Sequence, residues 1–147
     1  MFNADFIHKE YKGIIQSASF GPDFQFGIAI AAAQNEGAAA ADGRSPSIWD
    51  VYAKRKGAIR KGAKPTIACD FYHRFKDDLL LAKALGFTCF RFSISWSRIL
   101  PDGSGKANPA GIKFYNEVIN ECLRLGLIPF VTIYHWDLPQ VLQQEGG

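Results

Sequence analysis

Cysteine, long apolar runs and nucleotide-binding glycine motifs are all scarce or missing in this chain, and each gap excludes something. Three cysteines, Cys69, Cys89 and Cys122, without a Cys-x-x-Cys pair argue against a disulfide framework or a zinc site. Free thiols fit a reducing compartment, so a cytoplasmic location is expected. No apolar run approaches the about 20 residues needed to cross a bilayer. The segment Met1-Phe2-Asn3-Ala4-Asp5-Phe6 lacks the basic and apolar regions of a secretory leader. No membrane partner is expected. No Gly-x-Gly-x-x-Gly or phosphate-loop pattern follows a candidate strand, which weakens the usual nucleotide-binding options. Net charge is only +3, and the excess sits in Lys54, Arg55, Lys56, Arg60, Lys61 and Lys64. Without interleaved aromatics or a basic helical face, this segment reads as a solvated loop, and nucleic acid is not an expected partner.

What is present describes one globular unit. The 147 residues are 48% hydrophobic and include twelve phenylalanines, enough for a sizeable core. Residues 1–19 show no period and read as a leading arm. Phe24 to Ala31 reads as a short buried strand, followed by a long irregular connection through Gly37, Gly43 and Pro65. A helix is predicted from an Asp70 cap, with Tyr72, Phe75, Leu79, Ala82 and Leu85 on one face and Gly86 as the stop. Phe87 to Ile94 is the second predicted strand. The unit then repeats: Asn108 caps, Pro109 opens a helix, Ile112, Tyr115, Ile119, Cys122 and Leu125 form the stripe, and Gly126 ends it. Leu127 to Tyr134 is the third strand, apolar enough to imply burial on both faces, and Leu138 starts another helix. Strands alternating with amphipathic helices imply a parallel α/β sheet with right-handed crossovers. Periodicity alone leaves a (β/α)8 barrel and an open doubly wound sheet both open.

Polar and aromatic residues crowd the carboxyl ends of these strands. A histidine beside an indole, His135-Trp136, suits a sugar: the ring offers a flat apolar face and the imidazole hydrogen-bonds hydroxyls. A core tryptophan with a structural histidine is the plain alternative. Gln34, just past the first strand, could donate to and accept from adjacent hydroxyls, or it could stabilise its own loop. Arg91 lies inside an apolar strand, so a carboxylate is expected to face it, either in a site or in a structural ion pair. Trp49 and Trp96 read as core, and His73 as a surface or interhelical residue. Asp137 is expected to cap the following helix. Retaining glycoside hydrolysis would need two carboxyl groups about 5–5.5 Å apart. Asp77, Asp78, Glu117 and Glu121 read as solvated, Glu36 is the one acidic loop residue near a strand end, and no convincing pair emerges.

The longer blocks carry a family resemblance. Phe20-Gly21-Pro22-Asp23-Phe24, Gln34-Asn35-Glu36-Gly37, Asp42 to Asp50, Cys69 to Asp78, Phe90 to Pro101, Asn108-Pro109-Ala110-Gly111 and Tyr134 to Gln140 resemble, in order, successive signatures of glycoside hydrolase family 1. The resemblance implies a (β/α)8 barrel of which residues 1–147 are the N-terminal portion, roughly its first three βα units. It implies a retaining β-glycosidase of β-glucosidase type that cleaves terminal non-reducing β-D-glycosidic bonds by double displacement, with no cofactor and no metal. By position, Gln34, His135 and Trp136 would bind the non-reducing sugar of a β-glucoside or related oligosaccharide, and Arg91 would hold the nucleophilic carboxylate.

The family's acid/base glutamate lies in an Asn-Glu-Pro motif after the fourth strand and its nucleophile in a Glu-Asn-Gly motif after the seventh. Neither is in this sequence. Asn35-Glu36-Gly37 only superficially resembles the first motif, and no catalytic carboxylate is assigned. The 147-residue segment alone is therefore expected to be inactive. Two departures bear on the pocket: Ala33 stands where an aromatic residue usually precedes the glutamine, and Ala38 to Ala41 is poor in bulky groups. A 6-phospho-β-glycosidase is the rival within the family. A non-catalytic sugar-binding or interaction module is the rival outside it.

Overall fold

In a computed structural model that describes residues 17–147, three parallel strands lie side by side in chain order. They are β1 (Gly27–Ala29), β2 (Cys89–Ser93) and β3 (Ile128–Thr132). Most of the expected arm falls outside the described residues, and Ser17–Phe20 forms a 3-10 turn. Parallel neighbours need crossovers, and helices supply them. Between β1 and β2 run α1 (Ala32–Asn35), α2 (Ile48–Tyr52) and α3 (Phe71–Ala84). Between β2 and β3 run α4 (Trp96–Ile99) and α5 (Pro109–Arg124), and α6 (Gln140–Gln144) follows β3. The ladders pair Ala29 with Arg91 and Arg91 with Phe130.

Each strand is shorter than the apolar run that announced it. Ahead of β1 the run is taken up by an aromatic cluster, with Phe24 4.6 Å from Phe20 and 4.7 Å from Phe26 between ring centroids, and the Phe26 carbonyl accepts from the Thr88 amide at 2.8 Å. The two long helices match their signals at most ends. Asn108 accepts from the Ala110 amide, Pro109 opens α5, and Gly86 and Gly126 take left-handed backbone after each helix. Asp70 departs from expectation. It precedes α3 but is itself left-handed and caps no amide, its carboxylate pairing with His73 instead.

The core lies between one face of the sheet and helices α3 and α5. Phe90 and Phe92 of β2 point into it, against Phe71, Leu79, Val118 and Cys122. Phe71 stacks on Phe90 and Tyr115 on Phe92. Each buried phenylalanine contributes about 2 kcal/mol through the surface it hides.

Two packing expectations are corrected. On α5 the buried line is Gly111, Phe114, Tyr115, Val118 and Cys122, while Ile112 is exposed and Ile119 and Leu125 are half-buried. Gly111 sets this rotation, because a Cβ there would meet the Arg98 carbonyl at 2.4 Å, so only a glycine lets α5 close on α4. The third strand, expected to be buried on both faces, leaves Ile128, Phe130 and Val131 each more than 40% exposed. It is the edge of the sheet, and among the described residues no strand pairs with its outer side. A last tie joins distant parts of the chain. Ser47 bridges Pro139, Ile48 donates to the Leu138 carbonyl, and Gln140 donates to that of Pro46.

Candidate functional site

The strands deliver their polar residues to one end of the sheet. As β1 ends, the Ala32 amide donates to the Ser93 hydroxyl at 2.8 Å, fixing the start of α1 against the end of β2. That short helix turns Gln34 outward and Glu36 inward. After β3 the chain turns sharply at His135-Trp136. Trp136 takes a left-handed backbone, φ 65°, which for so bulky a residue costs of order 1–3 kcal/mol and is held only by surrounding structure. The Trp49 indole supplies the hold by donating to the Trp136 carbonyl at 2.6 Å. Trp136 is left 74% exposed.

Gln34, Trp49, His135 and Trp136 line one cavity of about 470 Å3. Its far wall comes from the connection before α3, through Ile59, Ala63, Lys64 and Pro65, and its floor from small residues including Ala31 and Ala33. The sequence therefore named three residues that the fold brings together. Trp49, read as core, belongs with them: it is 42% exposed and braces the turn. Trp96 is half-buried, donates to the Gly103 carbonyl and packs on Tyr134, a packing role away from this cavity.

Arg91 lies beside the cavity and reaches it through His135. Its Nε donates to the Thr132 hydroxyl at 2.7 Å and its Nη2 to His135 Nδ1 at 3.0 Å. The expected carboxylate partner is absent among the described residues, because Arg91 is only half-buried and two neutral acceptors suffice for it. A guanidinium can only donate. His135 Nδ1 must therefore accept, and the neutral ring carries its proton on Nε2 as a donor.

The strongest electrostatic feature was invisible in the sequence. Arg98 of α4 is fully buried, donates to Glu36 at 3.0 Å and lies 4.2 Å from the centre of the Tyr72 ring. Tyr115 donates to the other Glu36 oxygen and accepts from the Ser95 amide. Burial pushes the Glu36 carboxyl above its ordinary range, and Arg98 and Tyr115 draw it part of the way back. This carboxylate is committed to structure. A second buried pair joins Arg44 to Asp50 at 2.8 Å, and Asp50 with Ser47 forms the capping box of α2. Asp137 does not cap α6, which begins after Pro139. It is fully buried with no hydrogen bond of ordinary geometry, and burial raises its carboxyl, with nearby backbone groups and then the Arg44 charge pulling it part of the way back. No Asp or Glu lines the cavity. Among the described residues no group of three or more His, Cys, Asp or Glu could hold a metal ion.

Parallel strands, crossover helices on one face and a pocket with a histidine and two indoles at their carboxyl ends fit the beginning of a (β/α) barrel. The chain belongs to glycosyl hydrolase family 1, whose family model matches residues 16–147. It is 52% identical over 136 residues to β-glucosidase 17 of Arabidopsis thaliana, covering 90% of this chain and 26% of that protein. It is 53% identical over 132 residues to furcatin hydrolase of Viburnum furcatum, covering 88% and 24%. The solved family 1 β-glucosidase of Thermotoga maritima superposes with a TM-score of 0.84 at 47% identity, over 86% of this chain and 29% of that one. The chain thus spans about a quarter of the length of the relatives it matches, and the fold is the corresponding part of their (β/α)8 barrel.

Proposed function

We propose that this chain supplies the sugar-binding side of a retaining β-glycosidase of β-glucosidase type. The supporting observation is the convergence of Gln34, His135 and Trp136 on one cavity, from loops that follow different strands. Trp136 offers an exposed indole face to the C–H side of a pyranose, His135 offers an Nε2–H donor, and Gln34 offers both halves of an amide. Arg91 orients His135 and holds the nucleophilic carboxylate when that group is present. The Thermotoga relative has been solved in complex with castanospermine and with deoxynojirimycin. The substrate we assign here is a β-glucoside or related oligosaccharide, and the three unpaired cysteines fit a cytoplasmic setting.

Hydrolysis with retention requires a nucleophile and an acid/base about 5–5.5 Å apart. Glu36 is tied to Arg98, Asp137 is buried, and neither faces the cavity, so residues 1–147 alone do not cleave glycosides. The test pairs two proteins on an aryl β-glucoside, following the product by proton NMR. The 147-residue chain should give no turnover. A chain that continues through Asn-Glu-Pro and Glu-Asn-Gly motifs should release β-glucose first. Release of α-glucose first, or turnover by residues 1–147 alone, refutes the reading.

A further inference from the structure

We propose that Trp49 is a positioning residue for the sugar platform: its indole N–H fixes the Trp136 peptide and so sets how tightly the cavity holds a glycoside. The inference rests on the sugar-binding reading above and adds a residue that acts through Trp136 rather than on the sugar. Trp136 needs such a residue. Its φ of 65° is left-handed, a conformation that bulky side chains avoid. Its ring is 74% exposed, so burial offsets little of the strain. The turn is tethered on both sides of it. Ahead, Arg91 Nη2 holds His135 Nδ1 at 3.0 Å. Behind, the Ile48 amide donates to the Leu138 carbonyl and the Gln140 amide to that of Pro46, both at 2.9 Å, and Ser47 bridges Pro139 in antiparallel sense. Between these tethers the Trp136 carbonyl accepts one side-chain hydrogen bond among the described residues, from Trp49 Nε1 at 2.6 Å.

Trp49 is itself held firmly enough to do this. It occupies the first turn of α2, whose entry is fixed by the capping box of Ser47 and Asp50, and Asp50 is joined to Arg44 at 2.8 Å. Its ring meets Tyr52 edge-on, with centroids 6.0 Å apart. A fixed carbonyl fixes ψ of the residue that carries it, and at left-handed φ the allowed range of ψ is narrow. Without the indole N–H, the Trp136 peptide is free to rotate and φ to relax, which carries the ring away from His135 and Gln34. Every sugar-facing group is then still present, but the arrangement is lost. Trp96 provides an internal contrast. Its indole also donates to the carbonyl of a left-handed residue, Gly103 at 2.9 Å, where φ is 79°. A glycine adopts that conformation without strain, so the Trp96 bond has nothing comparable to hold. The sugar ring rests on Trp136 in the bound state and in the transition state alike. Loss of the Trp49 bond therefore raises KM and leaves kcat in place.

The test uses the complete protein that carries these residues. KM and kcat are measured for an aryl β-glucoside, and Ki for deoxynojirimycin as a ligand that is not turned over. Trp49→Phe keeps a ring and removes the N–H. The expected result is a rise of about fivefold in KM and Ki, the effect of one neutral hydrogen bond, with kcat unchanged. Trp96→Phe loses the matching bond to the glycine carbonyl and should leave KM and Ki where they were. In Trp136→Ala, where both constants have already risen, adding Trp49→Phe should raise neither further. If Trp49→Phe does not fold, benzothienylalanine at position 49 exchanges the N–H for sulfur in a ring of nearly the same shape and should give the same rise. Unchanged KM and Ki on loss of the Trp49 N–H overturn the proposal. An equal rise in Trp96→Phe does so too, because it marks a general loosening. A rise that persists in full beside Trp136→Ala also overturns it, by placing Trp49 on the sugar itself. A Trp136→Ala protein with unaltered KM and Ki removes the sugar-platform reading, and the role of Trp49 with it.

Discussion

Arg91 and Arg98 stand on either side of one strand-to-helix turn and are treated in opposite ways. Arg98 lies on the helix side, sealed from water, against a carboxylate, a phenol-bearing ring and two carbonyls. Arg91 lies on the rim side, half-buried, with a hydroxyl and an imidazole as its acceptors. Behind the sheet most of the polar groups are used in joining the β1 loop to α4 and α5. At the rim the polar groups retain unspent hydrogen-bonding capacity and face a cavity. A buried charge without a fixed partner is costly, so the first region has few loose ends, Arg98 Nη1 being one. The second needs them, because a pocket whose donors were all satisfied would have nothing to offer a ligand.

The comparison predicts a steep gradient of mutational cost. Glu36→Ala strands Arg98 in a dry site and should destabilise the fold by about 4 kcal/mol in urea unfolding, whereas Glu36→Gln, which keeps an acceptor, should cost less. A loss below about 1 kcal/mol for Glu36→Ala would mean that water reaches Arg98. Phe92→Ala should cost about 3 kcal/mol, and Phe130→Ala on the open side of the sheet much less. Equal losses would show that the two faces are covered alike in solution.

Asp137→Asn should act in the other direction. Its folded carboxyl is raised above its unfolded value by burial. The stability tied to the protonated form is complete below the unfolded pKa and is lost as pH rises through the folded one. The amide escapes that loss, so the variant should be the more stable at pH 7, by less than either loss above. Its advantage should close as pH falls toward about 4. A pH-independent difference in thermal midpoint would count against this account.

Sequence reading reached the helix and strand alternation because Gly86, Asn108, Pro109 and Gly126 act locally, within a turn of their own position. It reached Gln34, His135 and Trp136 because each sits at a strand end and within a long family block. Arg98 escaped because its partner, Glu36, is far along the chain. The hint that was available is its company, an arginine enclosed by apolar and small residues. Trp49 escaped for a similar reason, since its role is a single hydrogen bond to a backbone carbonyl brought near by tertiary structure. The buried line of α5 shares Tyr115 and Cys122 with the expected stripe but takes Phe114 and Val118 in place of Ile112 and Ile119, because the apolar residues occupy two sides of that helix and the contact of Gly111 with Arg98 selects between them. Lys64 had the same local signature as its five basic neighbours. Its place on the cavity wall depends on how the whole connection folds back.

The bridge between Ser47 and Pro139, with the bonds from Ile48 to Leu138 and from Gln140 to Pro46, has a mechanical consequence. It buckles the entry to α2 onto the entry to α6, in parallel with the β1–β2 ladder and the Glu36–Arg98 pair. Trypsin should enter first at the exposed lysines and arginines of residues 54–64. Cutting there leaves all three fastenings in place, so the two pieces should travel as one particle on a sizing column and part only in denaturant.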